Sequence, residues 1–397
     1  MKGNEETKTT KKKNSAIEIW RFFFAIAIVG YHIGVIFPMA YIPDLMTASN
    51  WMAVAGEVLF VFTLTSGYFM MSHFKRKQEA KEYAKRSAGS RAWEYFWGRV
   101  KGLLPVLILG IVLGIAAYAF YYSASFTDIL DNVLNGLWEF LGFYSLGFTA
   151  AFGQSNGALW FISALIICSF ILYFLLCYKE DLTTGLLVPF IFFFFEGWWC
   201  KTGIRASQAA FSTIGGNFYP SASSVSGSSS TAGMLGFNNG LLFVLVGLCG
   251  GILLYFAVRK LREKKFSSFQ KVLLSIFYLV CAVLLVVYTI NPTIMGDISL
   301  VRMTVHLLCI IVVGLTLLEK DFISEWLNNK TTSKLFNYLG SLSLYIYMLH
   351  IPIVYLLVKL FNQASYSWAS IFWPVTIISI ALSILTKFLM DELVFKR

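Results

Sequence analysis

Three residues set the chemistry to look for. Arg21 and His32 bracket ten residues, FFFAIAIVGY, that are otherwise apolar or small. A charged Arg at the centre of a bilayer costs on the order of 3 kcal/mol on insertion scales. The two polar residues are eleven positions apart (32 − 21). At about 100° and 1.5 Å per residue they return to nearly one helix face, about 16 Å apart. One helix thus offers a cation near one membrane surface and an imidazole deep in the other half. Glu57 follows in the next apolar run, at a depth similar to His32. Imidazole beside carboxylate is a general-base pair, because the carboxylate fixes the tautomer and supports the imidazolium. The same pair could instead be a buried tie between two helices.

Other polar residues in apolar runs have two roles open to them. His350 lies midway through LGSLSLYIYMLHIPI and is either functional or a hydrogen-bonded packing histidine. Arg302 and His306, at i and i+4, share a face near the outer end of their helix. They could hold an extracytoplasmic substrate or line a pore, whereas snorkelling of Arg302 to the outer surface is the simpler expectation. Arg99 and Lys101 precede LLP and either bind phosphate from the cytosol or mark the inner boundary. Ser66 and Gly67 sit in TSGYFM, where small residues permit close backbone approach. Trp160 and Ser163, in LWFISALI, favour packing over chemistry.

The elements that must position these groups are membrane helices. The 397 residues are 57% hydrophobic and 13% charged, against about 25% charged in a soluble domain. Apolar runs of about twenty residues, long enough to cross a bilayer, recur along the chain. The expected fold is all-α and polytopic, with about ten transmembrane helices: 17–37, 52–72, 102–122, 157–178, 184–200, 236–258, 271–290, 299–318, 338–360 and 371–391. With both termini cytoplasmic, the inner loops hold KRKQEAKEYAKRSAGSR and RKLREKK, while the outer loops hold only Lys201 and Arg205. That asymmetry obeys the positive-inside rule. The net charge of +11 then reflects orientation and anionic inner lipid, and no nucleic-acid partner is expected.

The organisation expected is a basic tail (1–16), one membrane domain (17–391) and a short tail (392–397). Residues 73–101 form a basic inner loop ending RAWEYFWGRVK, whose interleaved cations and aromatics suit a helix lying at the interface. Residues 201–236 form a Ser/Gly-rich outer loop, and FTDILDNVLNGLWEFL a short amphipathic helix. GIVLG (110–114) and GLCGG (247–251) are small-residue packing faces. The six cysteines lie in or beside apolar runs and suit packed thiols rather than disulfides. The first apolar run is expected to stay as a span rather than be removed as a signal, since Arg21 and His32 interrupt it.

Five stretches together resemble the membrane-bound acyltransferase family 3. They are Glu18, Arg21 and His32 in IEIWRFFFAIAIVGYH; Ser66-Gly67-Tyr68; the basic run FWGRVKGLLP; Trp160 to Leu165; and Leu339, Gly340, Ser343, Tyr347, His350 and Pro352. The sequence departs from the family pattern twice. Phe60 occupies the usual place of the second-span acid, with Glu57 one turn earlier, and Gly102 replaces the second basic residue before the Pro.

The resemblance implies transfer of an acyl group, most often acetyl, from cytosolic acyl-CoA to a carbohydrate hydroxyl outside, with no bound cofactor or metal. It assigns catalysis to His32 with Glu57, and donor binding to Arg21, Arg99, Lys101 and Ser66. His350, Arg302, His306 and Trp160 fall to the acceptor side or a pore, with Glu18 as structural partner of Arg21. His32 would take the hydroxyl proton or carry the acyl group as an acyl-imidazole. Partners implied are acyl-CoA, a cell-surface polysaccharide or glycolipid, the bilayer of a bacterial plasma membrane, and a separate extracytoplasmic transferase if this chain hands the acyl group on. The rival class is a transporter or flippase of a polysaccharide precursor, which also accommodates buried charges.

Overall fold

A computed structural model describes residues 14–36, 55–82, 86–140, 156–197, 239–291, 298–360 and 368–394. The described residues form helices and no strand. In chain order these are α1 (Ser15–Ile36), a 3₁₀ turn (Ala55–Val58), α2 (Leu59–Glu79), α3 (Ala88–Tyr122), α4 (Phe126–Phe140) and α5 (Leu159–Tyr178). Then come α6 (Glu180–Leu182, a π turn Thr183–Leu187, and 188–197), α7 (Asn239–Arg262), α8 (Ser268–Ile290) and α9 (Ile298–Leu318). Last are α10 (Phe322–Leu327), α11 (Lys330–Leu360) and α12 (Trp368–Leu389), which runs into a π turn, Met390–Val394.

Eight of these helices are long and apolar enough to cross a membrane, so the chain is a multi-pass membrane protein. The helices at the predicted spans 52–72 and 184–200 are not among the eight. Both predicted spans run past the described residues, at 52–54 and at 198–200. The two are nonetheless packed into the bundle. Lys75 pairs with Glu180, Arg259 with Glu79 (3.7 Å) and Arg262 with Glu319 (3.6 Å). Asn14 donates to Glu319 at 2.6 Å. These links gather the start of α1 and the ends of α2, α5, α7 and α9 at one face of the bundle, as alternating spans require.

Lipid is as apolar as a leucine side chain, so helices in it associate through close packing and polar contacts. The α2–α7 pair shows the first. A Cβ on Gly67 would lie 2.1 Å from the Leu248 carbonyl oxygen, and one on Gly251 2.1 Å from that of Leu64. Only glycine allows this backbone contact, so the GLCGG face packs as expected. The α1–α11 pair is equally close, with Gly340 against the Cα and Cβ of Glu18. Helix α11 is the most enclosed, packed by α1, α3 and α12. By contrast α8 presents Phe269, Ile276, Leu279 and Val283 outward, a lipid-facing stripe.

Two expectations change. The RAWEYFWGRVK stretch is not a separate interfacial helix; it forms the first turns of α3, which continues unbroken through Pro105 to Tyr122. Trp93 and Trp97 still face outward from it. The ninth span is longer than predicted, beginning at Lys330 rather than 338. The amphipathic helix expected after residue 125 is present as α4, with Phe126 and Leu130 exposed. Among the described residues the five cysteines are buried and unpaired. The Ser/Gly loop 201–236 and Cys200 lie outside the described residues.

Candidate active site

Helices α1 and α11 bring two histidines together. Nε2 of His350 is 2.9 Å from Nδ1 of His32, and the ring centroids are 4.9 Å apart. Each Nδ1 also faces the carbonyl one turn back in its own helix: Ile28 for His32 and Ile346 for His350, both at 3.1 Å. His350 is fully buried and His32 is 6% exposed. Nε2 of His32 has no partner among the described residues.

The chain around His350 is pinned from several sides. Pro352 lacks the N–H that would bond the Met348 carbonyl, and Asn156 Nδ2 donates to that oxygen instead (2.9 Å). Tyr347 donates to the Ala158 carbonyl at 2.7 Å. Both tethers run to the start of α5, so the LHIP segment fixes His350 in place rather than merely ending a motif.

A cavity of about 210 Å³ lies beside this pair. Arg21, Ser66, Arg99, Phe161, Ser343 and Tyr347 are among its lining residues. Tyr347 on its wall has its ring 5.8 Å from that of His350, while neither His32 nor His350 lines the cavity. At Phe69 and Arg99 it meets a second cavity of about 570 Å³, lined also by His73, Arg76, Lys77 and Tyr95. Arg99 lies over the Tyr95 ring at 5.1 Å, and Tyr95 stacks on Tyr173 at 4.0 Å. Arg21 bonds Glu18 at 3.1 Å while keeping about a third of its side chain exposed to the cavity. The arrangement sets a cavity with two guanidiniums on its wall one aromatic ring, Tyr347, away from the imidazole pair; neither histidine lines either cavity.

Sequence-predicted residues divide here. Arg21, Arg99 and Ser66 line one cavity. Lys101 does not; it points outward over the Trp97 ring (5.7 Å). Two residues on a helix are about 200° apart, so a cleft that takes Arg99 leaves Lys101 outside. Trp160 is half-buried beside Phe161 and lines neither cavity. His350 joins His32.

The expected His32–Glu57 pair is not formed. Gly56, next to Glu57, does pack on the ring of Tyr31, next to His32, so the depth match holds. The Glu57 carboxylate turns instead to α9. Its Oε1 lies 3.2 Å from Arg302 Nε and its Oε2 3.0 Å from His306 Nε2. His306 Nδ1 meets Glu196 Oε1 at 2.6 Å. Phe60, at the place of the family's usual acid, stacks on the His306 ring (4.1 Å, 6°). A buried carboxylate interacts far more strongly with a guanidinium than with a neutral imidazole. Arg302 is 3% exposed, so it does not snorkel. Two carboxylates, one guanidinium and an imidazolium between the acids would sum to zero charge.

Three participants were missed in the sequence. Glu196 interrupts IFFFFEGWW, and a lone carboxylate in an apolar run is itself a signal. Asn156 and the cavity residue His73 carry no such signal, since they flank predicted spans. No metal-binding group of three or more His, Cys, Asp or Glu exists among the described residues.

Neither curated proteins nor solved structures give a significant match to this sequence. A family model described as an acyltransferase domain matches residues 14–388. That match takes in the His32–His350 pair, the cavity and the Glu57 cluster alike, and it favours an enzyme over a transporter. The chain belongs to acyltransferase family 3 and is a membrane acyltransferase.

Proposed function

We propose that this protein moves an acyl group, most simply acetyl, from cytosolic acyl-CoA to a hydroxyl of an extracytoplasmic carbohydrate, by way of His32. One observation supports this reading. Arg21 on α1 and Arg99 on α3 line one cavity, which shares Arg99 with a second cavity holding Arg76, Lys77 and Glu94, and whose wall residue Tyr347 has its ring 5.8 Å from that of His350.

The donor's phosphates bind where Arg99, Arg76 and Lys77 concentrate positive charge, and Arg21 continues that charge inward. Its pantetheine arm lies along the apolar wall of Phe62, Phe161 and Leu165. The acceptor oxygen attacks the thioester carbonyl carbon while His32 Nε2 takes the hydroxyl proton. The C–S bond breaks, and the imidazolium returns the proton to the leaving thiolate. Ester and free CoA are the products. General-base assistance of this kind contributes about 10²–10⁴ in rate.

The same reading sets ten spans with both termini in the cytosol of a bacterial plasma membrane. It is tested by sealing radiolabelled acetyl-CoA inside vesicles that contain the purified protein, with cell-surface glycan outside. Label on the glycan with release of CoA is the expected result. Glycan crossing the membrane without CoA release would overturn it in favour of a transporter.

A further inference from the structure

We infer that His350 is a positioning residue that holds His32 as the Nδ1–H tautomer and leaves its Nε2 as the reacting nitrogen. The inference rests on the reading of His32 as the base. Carbonyl oxygens only accept hydrogen bonds. His350 Nδ1, 3.1 Å from the Ile346 carbonyl, therefore carries the proton in a neutral ring. Its Nε2 then holds a lone pair and must accept. The group opposite is His32 Nδ1 at 2.9 Å, which must donate. His32 Nδ1 faces a second acceptor, the Ile28 carbonyl at 3.1 Å, and that contact requires a proton at the same atom.

The opposite tautomers would set two nitrogen lone pairs against two carbonyl oxygens. The three contacts thus agree on one arrangement, and the proton-free nitrogen of the pair is His32 Nε2. When that atom takes the acceptor's proton, the Nδ1–H of the imidazolium still points at the His350 lone pair, so the charge meets a fixed acceptor. A packing histidine would need only its carbonyl bond. Here the second nitrogen is spent on His32, and the segment that carries it is tethered by Asn156 and Tyr347. A group set on a rigid, supported element is what orientation demands.

The test compares His350→Gln with His350→Leu in the full chain, purified and reconstituted. The glutamine side-chain oxygen can accept from His32 Nδ1–H; leucine cannot. The expected result is that leucine lowers kcat about 10²-fold, the scale of a misplaced catalytic group, with KM for acetyl-CoA unchanged. Glutamine should restore transfer to within about tenfold of the native rate, taking the hydrogen-bond partner that orients a working imidazole as worth about 10–100-fold. Equal losses in both variants, or a leucine variant as active as the native protein, would overturn the inference. If neither variant folds, ¹⁵N spectra of histidine-labelled native protein decide. A protonated Nδ1 and bare Nε2 on His32 support the assignment, and the reverse overturns it. His32→Ala separates the two layers: if it remains active the base itself is wrong, whereas an inactive His32→Ala beside an active His350→Leu removes only the positioning role.

Discussion

Two buried histidine sites stand in this membrane domain, and they are opposites. Between α1 and α11, the ring nitrogens of His32 and His350 meet only backbone carbonyls and each other, and one nitrogen stays open. At the other, His306 is held by a carboxylate at each nitrogen, Glu57 at 3.0 Å and Glu196 at 2.6 Å, with Arg302 alongside. A ring with both nitrogens occupied has no atom free to accept a proton. On the proposed function, reaction belongs to the first site and cohesion to the second, although a carboxylate beside an imidazole is the more familiar sign of catalysis. The placement differs too: Tyr347 beside His350 lines the cavity that holds Arg21 and Arg99, and the second site ties the 3₁₀ turn, α6 and α9.

The sharpest way to break this division is to remove each site in turn. His32→Ala should lower transfer by about 10²–10⁴, with thermal unfolding close to the native protein. Glu57→Gln should act oppositely. Breaking a buried ion pair costs about 3–5 kcal/mol, so its unfolding temperature should fall steeply while folded molecules keep a near-native kcat. The double variant Glu57→Gln/Arg302→Gln should recover part of that stability, because it strands no charge. A stable Glu57→Gln protein that has lost transfer would reverse the assignment of the two sites.

Smaller effects sharpen it further. Arg99→Ala should raise KM for acetyl-CoA about tenfold or more, as the loss of a charged hydrogen bond worth about 1.5–3 kcal/mol implies, at unchanged kcat. Lys101→Ala, two residues on, should leave both constants near native. Equal KM effects would mean that charge along the whole inner face matters, not the cavity. Smallest is Gly67→Ala, which should destabilise by about 1–3 kcal/mol by forcing α2 off the Leu248 carbonyl, without changing KM.

Much of this was legible in the sequence because a bilayer imposes strong rules. Span length, basic inner loops and the eleven-residue interval from Arg21 to His32 each have one physical reading. Arg21 lines the cavity while His32 does not, and Gly67 and Gly251 form the close helix pair. What failed was the choice among partners at equal depth. Glu57 was rightly placed beside the α1 level of His32, but depth does not say which neighbouring helix a carboxylate faces. Only the packing of α9 against α2 and the 3₁₀ turn brings Arg302 within reach. The His32–His350 contact joins residues 318 positions apart, and nothing local encodes it. Lys101 is a different case, since its angle from Arg99 was available from helix geometry alone.

The central claim is that chemistry passes through His32. The most direct measurement pairs donor binding with turnover in His32→Ala, reconstituted with labelled acetyl-CoA on the cytosolic side and acceptor glycan on the other. The account predicts native affinity for acetyl-CoA and no label on the glycan above background. Label appearing on the glycan at the native rate would contradict it.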